Sequence, residues 1–189
     1  MGLDIVYYKN IEKFEGKAEI NEHGKISWEW MQDNKLVRLN PSSHIERADG
    51  LIGIYSFEDC GGFRAGGYSG YNRYRELLAT TLLKLTGVEN DFKQKVRKDK
   101  YASNKIWKHK QEFKGQPFFE QIHFSDCEGV IGPETSAKLA KDYNKFESEF
   151  QKTVKNLCDG EYAEKLIEKY SKWKNAFNQV AGNGAIEFR

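Results

Sequence analysis

The sequence lacks most of the features that assign a protein by motif. Cysteine is scarce: 189 residues hold three, Cys60, Cys127 and Cys158, widely spaced and odd in number. That excludes a disulfide scaffold and a cysteine-built zinc site, which needs paired Cys-x-x-Cys spacing, and it suits free thiols in a reducing compartment. No apolar run approaches the roughly 20 residues of a membrane helix. The amino end, Met1-Gly2-Leu3-Asp4-Ile5-Val6-Tyr7-Tyr8, carries an early acid and no basic region, so it does not read as a secretory signal. Tyr7 stands where a myristoylation motif prefers Ser or Thr. Internal repeats and low-complexity linkers are absent. Net charge is small, +2, and by itself gives no reason to expect nucleic acid. These absences leave a cytoplasmic protein of one domain with no membrane partner as the expectation.

Aromatic residues, by contrast, are abundant at 14%, and charged residues reach 31%. The core should therefore rest on Phe, Tyr and Trp as much as on Leu. Strand-like runs come first: residues 3–8, 25–31 (Ile26, Trp28 and Trp30 alternating), 36–39 and 51–57. A helix should follow from an N-cap at Ser69, carry Tyr71, Tyr74, Leu77 and Leu78 on one face, and stop at Gly87. Residues 117–124 read as a buried strand. Pro133 suits the first position of a helix running towards Leu157, and Asp159-Gly160 opens another. Residues 185–188 read as a closing strand. Strands first, helices later and a final strand give an α+β class, a mostly antiparallel sheet packed by three or four helices.

Two runs carry the densest chemistry. The first is Cys60-Gly61-Gly62-Phe63-Arg64-Ala65-Gly66-Gly67-Tyr68-Ser69-Gly70-Tyr71-Asn72-Arg73-Tyr74-Arg75. It matches neither the dinucleotide fingerprint nor a Walker loop. What it offers is a site for an anion with a ring. Arg64, Arg73 and Arg75 suit phosphate or carboxylate, Ser69 and the backbone of Gly66 and Gly67 suit oxygens, Tyr68 and Tyr71 offer stacking faces, and Asn72 lies among them. The competing reading makes Tyr71 and Tyr74 core residues and the glycines a bulge or tight turn.

The second run is His123-Phe124-Ser125-Asp126-Cys127-Glu128-Gly129. On an extended strand end, His123, Ser125 and Cys127 share one face and Phe124, Asp126 and Glu128 the other. Asp126 and Glu128, with His123, are candidate catalytic residues or holders of a divalent cation. The alternatives are a loop capped by Asp126, with Glu128 or Glu134 facing the next helix, or pairing of the carboxylates with Arg64 or Arg73. If the strands before the two runs are neighbours, both loops open into one cleft for a small phosphorylated or nucleotide-like ligand. His23, His44 and His109 stand alone in the sequence.

Residues 91–114 hold nine Lys or Arg against three acids. This basic insertion or helical segment reads as a solvated face, or as a footprint for nucleic acid or a host protein with Tyr101 and Trp107 to stack.

Several of these segments also resemble their counterparts in a known family. Met1-Gly2-Leu3-Asp4-Ile5, the Ala65–Asn72 run with Arg75, the His123–Gly129 run with Ile131-Gly132, and the closing Gly184-Ala185-Ile186-Glu187-Phe188 resemble an uncharacterised family of bacteriophage and prophage proteins. Residues 9–50 and 88–115 match it poorly. The resemblance implies a phage origin, a host-cell setting and a host-directed role such as counter-defence. It implies no particular activity.

Overall fold

The structure, a computed structural model, describes residues 2–20, 23, 25–41, 44–87 and 101–189. In chain order, β1 (Leu3–Lys9) and β2 (Glu12–Lys13) precede α1 (Trp28–Asp33), β3 (Leu36–Leu39), β4 (Gly53–Ser56) and β5 (Asp59–Gly66). A 3-10 turn, Ile45–Arg47, lies between β3 and β4. Then come the long helix α2 (Tyr68–Thr86) and three short ones, α3 (Ala102–Lys108), α4 (Lys110–Phe113) and α5 (Phe119–Ile122). The chain closes with β6 (Gly129–Ile131), α6 (Pro133–Lys145), α7 (Glu147–Leu157), α8 (Gly160–Val180) and β7 (Gly184–Phe188). The α+β class read from the sequence is the one observed, and every strand pairing is antiparallel.

The main sheet has the order β5-β1-β7-β6, so the first and last strands of the chain are its interior pair. Strand alternation assigns its two faces. Leu3, Ile5, Ile131, Ile186 and Phe188 face the helices, joining Tyr71, Leu78, Leu139, Trp173 and Phe177 in one core. Val6, Tyr8, Val130 and Ala185 face the other way and meet Val37, Leu39 and Tyr55 of the small sheet β2-β4-β3. Helices α2, α6 and α8 lie against the main sheet, and α7 packs on α2 and α8. Fully burying one large apolar side chain contributes about 1.5–3 kcal/mol. The wholly buried Trp173, Phe177, Phe150 and Phe124 are therefore principal sources of stability.

The structure departs from the sequence reading in five places. Residues 28–33 form a helix instead of a strand: Ser27 caps it, its hydroxyl accepting the Trp30 N–H at 3.3 Å, and only Met31 is buried. Residues 119–122 are also helical, because a short apolar run suits a buried helix turn as well as a strand. The helix after Pro133 breaks at Phe146 and restarts as α7. Gly67, not Ser69, is the N-cap of α2, which ends on Gly87 at φ 68° as expected.

The fifth departure is the glycine run itself, whose first half is the edge strand β5 rather than a loop. Its glycines answer to the neighbouring strand: a Cβ on Gly61 would sit 2.3 Å from the Tyr7 hydroxyl, and one on Gly62 would sit 2.7 Å from the Ile5 carbonyl oxygen. The Tyr7 side chain occupies the space a side chain at 61 would need, and the β1 backbone the space needed at 62.

Candidate functional site

Helix α2 has two faces of opposite character. Tyr71, Tyr74, Leu77 and Leu78 are buried on one, while Ser69, Asn72, Arg73 and Glu76 lie on the other. The second face is completed by α3. Glu76 accepts the Ala102 N–H at 2.6 Å, the Ser103 N–H at 3.0 Å and the Ser103 hydroxyl at 2.7 Å. It thereby satisfies the start of a helix whose own cap residue, Tyr101, makes no side-chain cap bond. The result is a cleft of about 690 Å3. One wall is Ser69, Asn72, Arg73, Arg75 and Glu76; the other is Tyr101, Ser103, Asn104 and Trp107.

The second sequence run backs this wall. Asn72 Nδ2 donates to Asp126 Oδ2 at 2.9 Å. The Arg75 guanidinium donates to the Phe124 carbonyl and to Asn72 Oδ1, and lies 3.8 Å from Asp126. The expected pairing of arginine with carboxylate occurs, but through Arg75 in place of Arg64 or Arg73. Arg75 also lies over the Tyr71 ring, 5.3 Å from its centroid. Tyr71 itself is wholly buried, and burial pushes its hydroxyl up to about 12. It is a core residue, not a stacking platform. Arg73 is exposed and has no carboxylate partner among the described residues.

The remaining predicted residues lie elsewhere. Arg64 projects from the edge strand, 3.9 Å from Asp4. With Gly66 and Gly70 it borders a separate groove of about 350 Å3 shared with Lys165, Lys169 and Lys172 of α8. Gly67 and Tyr68 are exposed at the start of α2. The Ser125 hydroxyl accepts the Cys127 and Glu128 N–H groups at 3.3 and 3.2 Å, forming a local turn. Glu128 and Cys127 then border a third groove beside Arg189. The start of α6 is served by neither Asp126 nor Glu128. Asp49 does this work, accepting the Thr135 N–H at 2.8 Å and hydroxyl at 2.9 Å.

His123 follows α5 and turns away from Asp126, into a nest of rings. Trp107 stacks on it at 4.1 Å between centroids, Phe119 lies at 5.4 Å, and His44 meets it edge-on at 5.4 Å. Burial lowers the proton affinity of both imidazoles below the usual histidine value. Among the described residues, the one group of His, Cys, Asp and Glu placed to share a metal ion is His44, Glu46 and His123. Asp126 and Glu128 are not part of it.

Comparison with family models, with characterised proteins and with solved structures gives no match. No helix among the described residues is long and apolar enough to cross a membrane. The sequence reading missed Glu76, Ser103 and Asn104, whose roles come from docking α3 on α2. It also set His44 apart, although the spacing His44-x-Glu46 was a visible signal.

Proposed function

We propose that the α2–α3 cleft is the ligand site of a binding protein and takes a small ring-bearing anion of the nucleotide class. One observation carries this reading: Arg73 stands in the cleft without a carboxylate partner among the described residues, while Tyr101 and Trp107 line the facing helix. A guanidinium presents paired donors suited to phosphate, and an exposed ring offers a face to a base. The volume, about 690 Å3, is within the usual range for small-molecule sites. Arg75 and Asp126 hold the wall in place, with Asn72 between them.

The phage origin, the host-cell cytoplasm and a counter-defence role by sequestration belong to the same proposal and rest on the sequence resemblance alone. Hydrolysis through Asp126 and Glu128 gains no support, since Asp126 is committed to Asn72 and Arg75. Binding of nucleic acid or a host protein through residues 91–114 depends in part on residues 88–100, which lie outside the described residues.

The test is a calorimetric titration of the full chain with a panel of nucleoside mono- and diphosphates. At least one should bind saturably and be recovered unaltered after denaturation. Arg73→Ala should weaken that binding about tenfold or more, the effect of losing a charge-assisted contact. No saturable binding across the panel, or equal affinity in the variant, contradicts the reading. Recovery of a cleaved product replaces binding with catalysis.

A further inference from the structure

We infer that His44, Glu46 and His123 form a binding site for one divalent transition-metal ion of the zinc type. The site is distinct from the cleft and stands whether or not the cleft binds a nucleotide. One ligand atom from each residue lies within 4.8 Å of the others. Two imidazole nitrogens and a carboxylate oxygen around zinc, each about 2.0–2.2 Å from the metal, sit roughly 3.5 Å apart. Side-chain adjustments of about 1 Å therefore close the set. Imidazole with one carboxylate suits zinc and its first-row neighbours, whereas magnesium and calcium take oxygen ligands. Three protein ligands leave a fourth position for water.

Burial adds an independent observation. His123 is only 8% exposed, and its Nδ1 has no hydrogen-bond partner among the described residues. Buried polar atoms are ordinarily paired. Gln121 Nε2 and Trp173 Nε1 are also left without a partner among the described residues, and what sets His123 apart is the second imidazole and the carboxylate beside it.

The two imidazoles are also held in place before any ion arrives. Trp107 and Phe119 flank the His123 ring, and Trp107 is itself fixed by its indole N–H, which donates to the Ile122 carbonyl at 2.9 Å. His44 is held edge-on by Trp107 at 5.7 Å between centroids, with Phe124 at 5.4 Å. Its Nδ1 lies 3.9 Å from Glu46 Oε1. The turn that carries both is pinned to the sheet side of the molecule. The Gly132 N–H donates to the Arg47 carbonyl at 2.8 Å, and Asp49 holds Thr135. A Cβ on Gly132 would stand 2.4 Å from the Ala48 carbonyl oxygen, so only glycine permits this approach. Preorganisation of this kind is what a metal site requires of its supporting residues.

The experiment is calorimetric titration of the untagged full chain with zinc, with cobalt as a spectroscopic probe. One equivalent of zinc should bind, and cobalt should develop the visible absorption of a low-coordinate centre. His44→Ala and Glu46→Gln should each weaken zinc at least tenfold. Both lie on a surface turn, so they remain informative if His123→Ala fails to fold. His109→Ala, which removes the separate His109–Glu112 pair, should leave zinc binding intact. Four results overturn the inference: no stoichiometric zinc, binding that survives both His44→Ala and Glu46→Gln, loss of binding in His109→Ala, or equal saturation by magnesium.

Discussion

In the main core, Tyr74 and Tyr143 share a hydroxyl hydrogen bond of 2.8 Å, and Tyr143 donates to Gln121 Oε1 at 2.6 Å. Tyr170 donates to the Tyr143 carbonyl at 2.8 Å. In the histidine nest a few residues further along the chain, His123 is packed among rings just as tightly, yet its Nδ1 has no partner among the described residues. One short helix, α5, links the two regions. Gln121 at its end completes the tyrosine chain, and His123 directly after it enters the nest. Both regions bury polar atoms among aromatic rings, and each leaves some without a partner among the described residues: Gln121 Nε2 and Trp173 Nε1 in the core, His123 Nδ1 in the nest. Where the atoms are paired with each other, the arrangement serves the fold. Where one is left unpaired beside a second imidazole and a carboxylate, it has capacity for something the chain does not supply.

This contrast can be broken or sharpened by substitution. The largest effect should come from Trp173→Ala, which empties the middle of the core; urea denaturation should show a loss of about 4 kcal/mol. A loss below about 1 kcal/mol would mean that the aromatic core is not the seat of stability. Next comes Tyr143→Phe, which leaves the buried Gln121 oxygen without its donor and should cost about 1–3 kcal/mol with no effect on zinc. If zinc affinity fell with it, the two regions would not be separable.

The smallest effect concerns Lys169, half-buried beside Gly66 with its ammonium pressed by burial and by Lys172. Its proton affinity is lowered from the ordinary 10.5. The folded state thus binds this proton less tightly than the unfolded state, and the contribution of Lys169 to stability should rise with pH from the lowered folded value up to 10.5. Lys169→Gln should flatten that slope and leave stability at neutral pH the same or slightly higher. The buried tyrosines, whose proton affinity burial raises, pull stability the other way as pH nears 10. The test is therefore the difference between the two curves: no rise of the wild type relative to Lys169→Gln across this window would contradict the assignment.

Much of the fold was legible because its signals are local. Residues 3–8 and 185–188 are β-rich, Tyr71, Tyr74, Leu77 and Leu78 keep helical period, and Pro133, Gly87 and Gly160 punctuate as their backbone chemistry dictates. The misread segments share a physical cause. Alternation of Ile26, Trp28 and Trp30 over so few residues cannot separate a strand from a six-residue helix, and Ser27 decides it by capping. The glycines at 61 and 62 looked like a ligand loop because the Tyr7 side chain and the Ile5 backbone that fill their space come from a strand far away in sequence. The site was half legible for the same reason. Ser69, Asn72 and Arg73 fall on one helix face and could be grouped by spacing, with Arg75 at the edge of the same cleft. Glu76 acquires its role only when α3 docks, and His44 meets His123 only through the tertiary fold.

The division between a structural core and a metal-binding nest is tested most directly by thermal unfolding of the wild type and His44→Ala, each with and without zinc. Without metal the two should unfold within a few degrees of each other, because His44 adds little to the core. With zinc at a hundredfold excess over its Kd, the wild-type Tm should rise by about 5 °C or more, and the variant should not respond. A variant already much less stable without metal, together with a wild type indifferent to zinc, would make the histidine nest a structural feature and contradict the account.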